Sequence, residues 1–247
     1  MLEVVDLRKS FGETQALVAC SFHGDAGTVH SILGENGSGK STLVKILSGI
    51  VPPDGGEIRI GDAQLRRFSP VAARFHGVVP VLQEVLIAPN RSVLDNIFLG
   101  YDSLFLRRIG RNERRDVALE ILSRITTAHM DLDELVETLP LPRRQLVTIA
   151  RALVHHPRIL ILDESTSTLD VNDRQVLFEE IRRRVTRGAL VIYISHRLDE
   201  VLELTDTVTV LRSGSSVATV PRGGLNVHDL LALMSPPTAD ELKSADV

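Results

Sequence analysis

The sequence predicts an α/β fold with a parallel sheet at its centre, and three stretches carry that prediction. The first is Gly34-Glu35-Asn36-Gly37-Ser38-Gly39-Lys40-Ser41-Thr42, which fits G-x-x-x-x-G-K-[ST]. An apolar run from Val29 to Leu33 leads into it, and Leu43, Ile46 and Leu47 follow at helical spacing, so the motif has its strand–loop–helix setting. The second is Ile159-Leu160-Ile161-Leu162, a wholly apolar run that ends on Asp163-Glu164 and fits a central parallel strand covered on both faces. In the third, from Ser92 to His155, strand signals stop and helical spacing takes over, as in a helical insertion into an α/β core.

Taken in order, Leu2 to Arg8 alternates as a strand does, and Leu17 to His23 reads as a second strand. Phe11 falls between them; its ring either packs at the edge of the core or stacks on a nucleotide base. Gly24 to Gly27 turns the chain into the strand before the glycine-rich loop. In that loop Gly34, Gly37 and Gly39 let the backbone aim several N–H groups at one point. The helix starting near Lys40 adds the positive end of its dipole. Lys40 brings a full charge to β- and γ-phosphates, Ser41 offers a hydroxyl to Mg²⁺, and Thr42 faces the phosphates.

Pro52-Pro53-Asp54-Gly55-Gly56 is a turn, and Glu57 to Ile60 is a short strand after it. Gly77 to Leu82 is a further apolar strand ending at Gln83, either a plain polar terminus or a side chain that reaches the metal or the attacking water. The helical region shows Val93, Ile97 and Phe98; Val117, Ile121, Leu122 and Ile125; then Leu132, Leu135 and Val136. Pro140 and Pro142 are expected to break it, with a helix resuming over Leu146 to Leu153 and ending before Pro157. Asp163 and Glu164 stand where ligands sit in open α/β sheets, Asp163 placed to hold Mg²⁺ and Glu164 to polarise the attacking water. A helix from Asn172 to Arg187 and a buried strand from Ala189 to Ile194 follow, the strand ending at Ser195-His196. The last elements are a hairpin, Asp206 to Leu211 with Val217 to Val220, and an amphipathic helix from Val227 to Met234. Ser235 onward reads as a loose tail.

Composition narrows the function classes. Hydrophobic residues make up 43% of the 247 and charged residues 24%, with a net charge of −4. A nucleic-acid coat gets no support from that charge, although Arg107-Arg108 and Arg111 to Arg115 form a local basic cluster. The single cysteine, Cys20, excludes an intrachain disulfide, points to a reducing compartment and reads as core filling. The N-terminus has no signal-peptide pattern, and no run approaches the ~18 apolar residues of a membrane span. A role at a membrane would therefore require a partner to hold the chain there.

With these pieces in order, the chain resembles an ATP-binding cassette (ABC) ATPase subunit over about Leu2 to Met234. Phe11 matches the adenine loop, Gly34 to Thr42 the phosphate loop, Gln83 the Q-loop, and Asp163-Glu164 the end of the Walker B strand. Ser167 to Asp170 matches the D-loop and His196 the switch histidine. Finer wording, such as Leu43 to Gly49, Ser92 to Gly100 and Ile194 to Glu200, is similar to sugar-importer ATPases. The resemblance implies a P-loop NTPase (RecA-like) core with an N-terminal antiparallel β subdomain. It implies one domain over 1–235, a helical subdomain at about 85–155, and a tail at 236–247. It also implies ATP at Phe11 and Gly34 to Thr42, Mg²⁺ at Ser41, Gln83 and Asp163, and catalysis by Glu164 with His196, Lys40 and Gln83. Implied partners are a permease, a second cassette of the same or another kind, and indirectly a solute-binding protein, with no nucleic acid. The implied location is the cytoplasmic face of the cell membrane. Two alternatives stand beside import: a nucleotide-binding regulatory subunit with little hydrolysis, and a soluble non-transport ABC protein.

The signature loop departs from the family. Where the family has Leu-Ser-Gly-Gly-Gln, this chain has Leu139-Pro140-Leu141-Pro142-Arg143. Pro140 lacks the hydroxyl and Pro142 lacks an N–H, so two donors are missing from a charge-assisted network worth ~1.5–3 kcal/mol per bond. In the D-loop, Ser165 replaces proline and Thr168 replaces alanine. Because a signature loop acts on the opposite cassette's nucleotide, the expected result is weak hydrolysis by a homodimer.

Overall fold

The computed structural model describes residues 1–66, 69–101, 110–224 and 226–234. Arg107, Arg108 and the expected tail at 236–247 lie outside the described residues.

The strands are β1 (Leu2–Phe11), β2 (Thr14–Gly24), β3 (Val29–Leu33), β4 (Gly55–Ile60), β5 (Ala63–Gln64), β6 (Val78–Val81), β7 (Ile159–Asp163), β8 (Leu190–Ile194), β9 (Thr207–Arg212) and β10 (Ser215–Pro221). The helices are α1 (Lys40–Leu47), α2 (Pro70–Phe75), α3 (Val93–Ile97), α4 (Arg111–Ser123), α5 (Leu141–Val154), α6 (Val171–Thr186), α7 (Leu198–Leu204) and α8 (Val227–Met234).

The strands join in one sheet, ordered β5-β4-β1-β2-β10-β9-β3-β8-β7-β6. From β9 to β6 every neighbouring pair is parallel, whereas β1 pairs antiparallel with β2 and β4. The N-terminal antiparallel part is joined to the parallel part through β10, which bridges β2 at Ser215 and Ala19. Strand β8 lies between β3 and β7, so the acidic pair ending β7 stands two strands from the loop that follows β3, not on the adjacent strand.

The central strands are apolar throughout because both faces are covered. Leu160 and Leu162 of β7 and Val191 and Tyr193 of β8 enter the core beneath the helical region. Their alternates, Ile159, Ile161, Ile192 and Ile194, enter the core shared with α1 and the antiparallel strands. Cys20 is fully buried in the second core, where burial pushes its thiol up to about 12.

The helical region differs from its sequence pattern in two places. Leu132, Leu135 and Val136 do not lie on a long helix; a short 3₁₀ turn covers Val136–Thr138. Pro142 does not break the following helix. It sits in the first turn of α5, one position after Leu141, where its missing N–H has no intrahelical carbonyl to lose. Pro140 is the extended residue preceding that turn.

Candidate functional site

At the C-terminal ends of β3, β6, β7 and β8 lies an open cleft of about 690 Å³. It is lined by Gly34, Glu35, Asn36, Gly37 and Gly39, by Lys40, Ser41 and Thr42, and from across the sheet by Gln83, Glu164 and His196. Parallel strands bring these groups together, since each leaves its strand at the same edge.

The loop geometry follows from its glycines. Gly37 and Gly39 have φ of 83° and 105°, a region that other residues seldom adopt. Gly39 is also hemmed in: a Cβ there would lie 2.5 Å from the Ala16 carbonyl oxygen. At Gly34 a Cβ would lie 2.3 Å from the Leu211 carbonyl oxygen, so only glycine lets the loop pass this close to β9. Ser38 is buried under the loop, and its N–H donates to the Glu35 carbonyl at 3.1 Å. Lys40, 7% exposed, donates from Nζ to the carbonyls of Gly34 at 2.7 Å and Glu35 at 2.9 Å. Burial holds its pKa below the usual lysine value, while Glu164 and Asp163 pull it back up.

Opposite the loop, Glu164 is the hub of the polar groups. Gln83 Nε2 donates to its Oε2 at 3.1 Å, and His196 Nδ1 lies 3.4 Å from its Oε1. Its backbone is left-handed at φ 46°, pinned by its N–H to the Ile194 carbonyl at 2.9 Å and by Ser167 Oγ to its own carbonyl at 2.9 Å. Strain of this kind costs on the order of 1–3 kcal/mol and persists only where neighbours impose it. Asp163, the last residue of β7, is 5% exposed. Burial first, and then repulsion from Glu164, pushes its carboxyl up to about 6, against the pull of Lys40 and Lys45.

These side chains suit a magnesium–triphosphate ligand. Ser41 and Gln83, which line the cleft, and Asp163, which ends β7 without lining it, carry oxygen atoms of the hard kind that Mg²⁺ takes. Among the described residues no group of three or more His, Cys, Asp or Glu side chains is placed to hold a metal.

Other expected site residues lie elsewhere. Phe11 ends β1, is 49% exposed and carries the Lys9 ammonium 5.5 Å from its ring centre. It is no core residue and does not line the cleft, although its cross-strand partner Thr14 does. Asp170 caps α6, accepting from the Asp173 N–H at 2.8 Å. Leu139 closes the 3₁₀ turn, Pro140 precedes α5, and Leu141, Pro142 and Arg143 begin it; none of the five lines this cleft. Arg144 is tied to the carbonyls of Leu139 at 2.7 Å and Glu137 at 2.6 Å, whereas Arg143 has no partner among the described residues. Of the basic cluster, Arg111 and Arg115 clasp Asp133 at 2.8 Å and 2.7 Å.

The structure adds cleft residues that the sequence did not single out: Thr14, Gln15, Ala16 and Met234. Nothing in their own residue types marks them. The close approach of Gly39 to Ala16 brings the hairpin there, a contact invisible before the chain folds.

The comparisons agree with this geometry. A family model for the ABC transporter family matches residues 17–167. The chain is 39% identical over 234 residues to the ribose import ATP-binding protein RbsA 1 of Mesorhizobium japonicum, covering 95% of this chain and 45% of that protein. It is 42% identical over 239 residues to the protein of the same name in Burkholderia ambifaria, covering 95% of this chain and 46% of that one. The chain thus spans about half the length of the curated relatives it matches. A bacterial ABC transporter cassette solved as a dimer superposes with a TM-score of 0.83 at 23% identity, covering 91% of this chain and all of that one. The chain belongs to the ABC transporter family.

Proposed function

We propose that this chain is the ATP-binding and ATP-hydrolysing cassette of a sugar importer. The observation that carries the reading is the convergence of Gln83, Glu164 and His196 on one side of a cleft whose other side is the Lys40 loop. The loop N–H groups and Lys40 bind and orient the triphosphate of ATP. Ser41, Gln83 and Asp163 would hold Mg²⁺, which would supply positive charge to the phosphates. Glu164 holds the attacking water and takes its proton, and Gln83 and His196 fix the carboxylate in its bonding direction. His196, which lines the cleft, would also reach the γ-phosphate.

Hydrolysis is coupled to a membrane partner through the helical region. A cavity of about 240 Å³ opens beside Gln83, lined by Ile50, Val79, Leu82, Leu86, Leu99 and His155. Ile50, Leu86 and Leu99 are 46%, 54% and 48% exposed, an apolar group fitted to a cytoplasmic helix of a permease. Among the described residues no helix is long and apolar enough to cross a membrane, so attachment by such a partner keeps the chain on the inner face of the membrane. By likeness to relatives named as ribose importers, the cargo is a sugar delivered by a solute-binding protein.

Pro140 and Pro142 favour a second reading, a nucleotide-binding regulatory subunit with little turnover. The test is Glu164→Gln beside wild type, with and without co-purified permease and second cassette. Import predicts hydrolysis by wild type in the assembly, and retention of ATP in a closed dimer by the variant. Binding without turnover in that assembly would select the regulatory reading. Co-purification with RNA or DNA in place of membrane proteins would select a soluble non-transport ABC protein.

A further inference from the structure

Beneath the cleft lies a buried carboxylate that the reading above does not use. Glu200, in the first turn of α7, is 1% exposed. Its Oε2 accepts from Tyr193, from Thr166 Oγ1 at 2.8 Å and from Ser195 Oγ at 3.2 Å. Its Oε1 faces Arg174 Nη1 at 3.2 Å and Arg197 Nη1 at 3.1 Å. Ser195 Oγ in turn accepts the Arg197 N–H at 3.1 Å, and the Tyr193 hydroxyl and Thr166 Oγ1 lie 2.9 Å apart.

The donors are placed tellingly. Thr166 is two residues after Glu164, in the turn between β7 and α6. Ser195 and Arg197 flank His196 in the turn between β8 and α7. Tyr193 lies on β8 and Arg174 on α6. One carboxylate therefore binds both of the turns that carry Glu164 and His196, through residues that do not themselves line the cleft. A helix-capping role alone would engage the N-terminal amides of α7. It gives no reason for four donors from β8, α6 and the two turns, in addition to Arg197 at the start of its own helix, to converge on this group. Burial and the bond to Glu200 push the Tyr193 hydroxyl well above its usual range, so it stays a donor.

We propose that Glu200 is a positioning residue for ATP hydrolysis, holding Glu164 and His196 at their mutual spacing by binding Thr166, Ser195 and Arg197 together. It is buried and does not line the cleft, and it acts on turnover, not on nucleotide affinity, because the Lys40 loop follows a different strand. The inference rests on the reading of the cleft as an ATPase site.

The test compares wild type, Glu200→Gln and Glu200→Asp in three measurements: equilibrium Mg-ATP affinity, steady-state hydrolysis at saturating Mg-ATP in the co-purified assembly, and amide hydrogen exchange. Glu200→Gln keeps Mg-ATP affinity within about threefold while kcat falls at least tenfold, and Glu200→Asp recovers part of that loss. Exchange rises together in 163–170 and 194–200 and stays unchanged in the Lys40 loop. Wild-type kcat in Glu200→Gln overturns the proposal. So does a loss of kcat, affinity and exchange protection in parallel across the chain, which is what a merely structural role gives. Should wild type neither bind nor hydrolyse Mg-ATP in the assembly, the cleft reading falls and this proposal falls with it. Hydrolysis by wild type with an unaffected Glu200→Gln sinks the proposal alone.

Discussion

Single residues in the cleft and in the strands leading to it work under opposed demands. Gly39 combines a left-handed backbone with a carbonyl 2.5 Å from where a side chain would start. Gly39→Ala is therefore expected to cost on the order of 1–3 kcal/mol and to weaken Mg-ATP binding, read by urea unfolding and nucleotide titration. Unchanged affinity would mean that the loop does not need this backbone shape. Asp163 is the second case. Its pKa in the folded chain, about 6, lies above the ordinary aspartate value of 3.8. Its contribution is thus fully present below pH 3.8 and is lost as pH rises through about 6. Relative to wild type, Asp163→Asn should gain on the order of 2–3 kcal/mol between pH 4 and pH 8 in the absence of nucleotide. A stability difference that does not vary with pH would contradict the burial of this charge. His30 has the opposite sign. Burial, more than the charge of His23, lowers its pKa from 6.5 to about 4, so its contribution is present above pH 6.5 and lost as pH falls towards 4. Acid unfolding of wild type therefore carries both effects, and Asp163→Asn isolates one of them.

At the level of elements, α5 carries the stretch proposed to act on a partner cassette's nucleotide. The helix begins at Leu141 with Pro142 already in its first turn, so the stretch that departs from the family's signature pattern forms a regular helix start that lacks the Pro142 N–H. Replacing Pro140→Ser together with Pro142→Gly should raise ATP hydrolysis by the purified chain at least tenfold, since each copy would then serve the other. Unchanged turnover would show that Pro140 and Pro142 do not limit hydrolysis by the chain alone. The same region marks where sequence patterns run out. Strands β3, β7 and β8 were legible because complete burial forces continuous apolar runs. Helix α2 was not, because six residues with Val71 at 79% and Phe75 at 87% exposure present no apolar stripe. Helix α7 is seven residues long and was seen only as a stretch of family wording. Pro142 was misread because proline breaks a helix interior but is tolerated in its first turn.

Across the whole molecule, one twisted sheet supplies the site, and the order of its strands explains what sequence reading reached and what it missed. Lys40, Gln83, Glu164 and His196 each follow an apolar run, so motif and strand ending point to them together. Thr14 to Ala16 and Met234 reach the cleft only because β2 and α8 fold back over it, and residue types do not encode that approach. Glu200 was equally hidden, since a buried acid is recognisable only when its donors have been brought around it.

In the proposed function the Lys40 loop grips a magnesium–triphosphate while Glu164 faces it across the cleft. Equilibrium titration of Mg-ATP against wild type and Lys40→Ala tests it most directly. The account predicts saturable binding by wild type and at least a tenfold loss in the variant, with the fold retained. A folded wild type without affinity for Mg-ATP, or a Lys40→Ala variant that binds equally well, would contradict it.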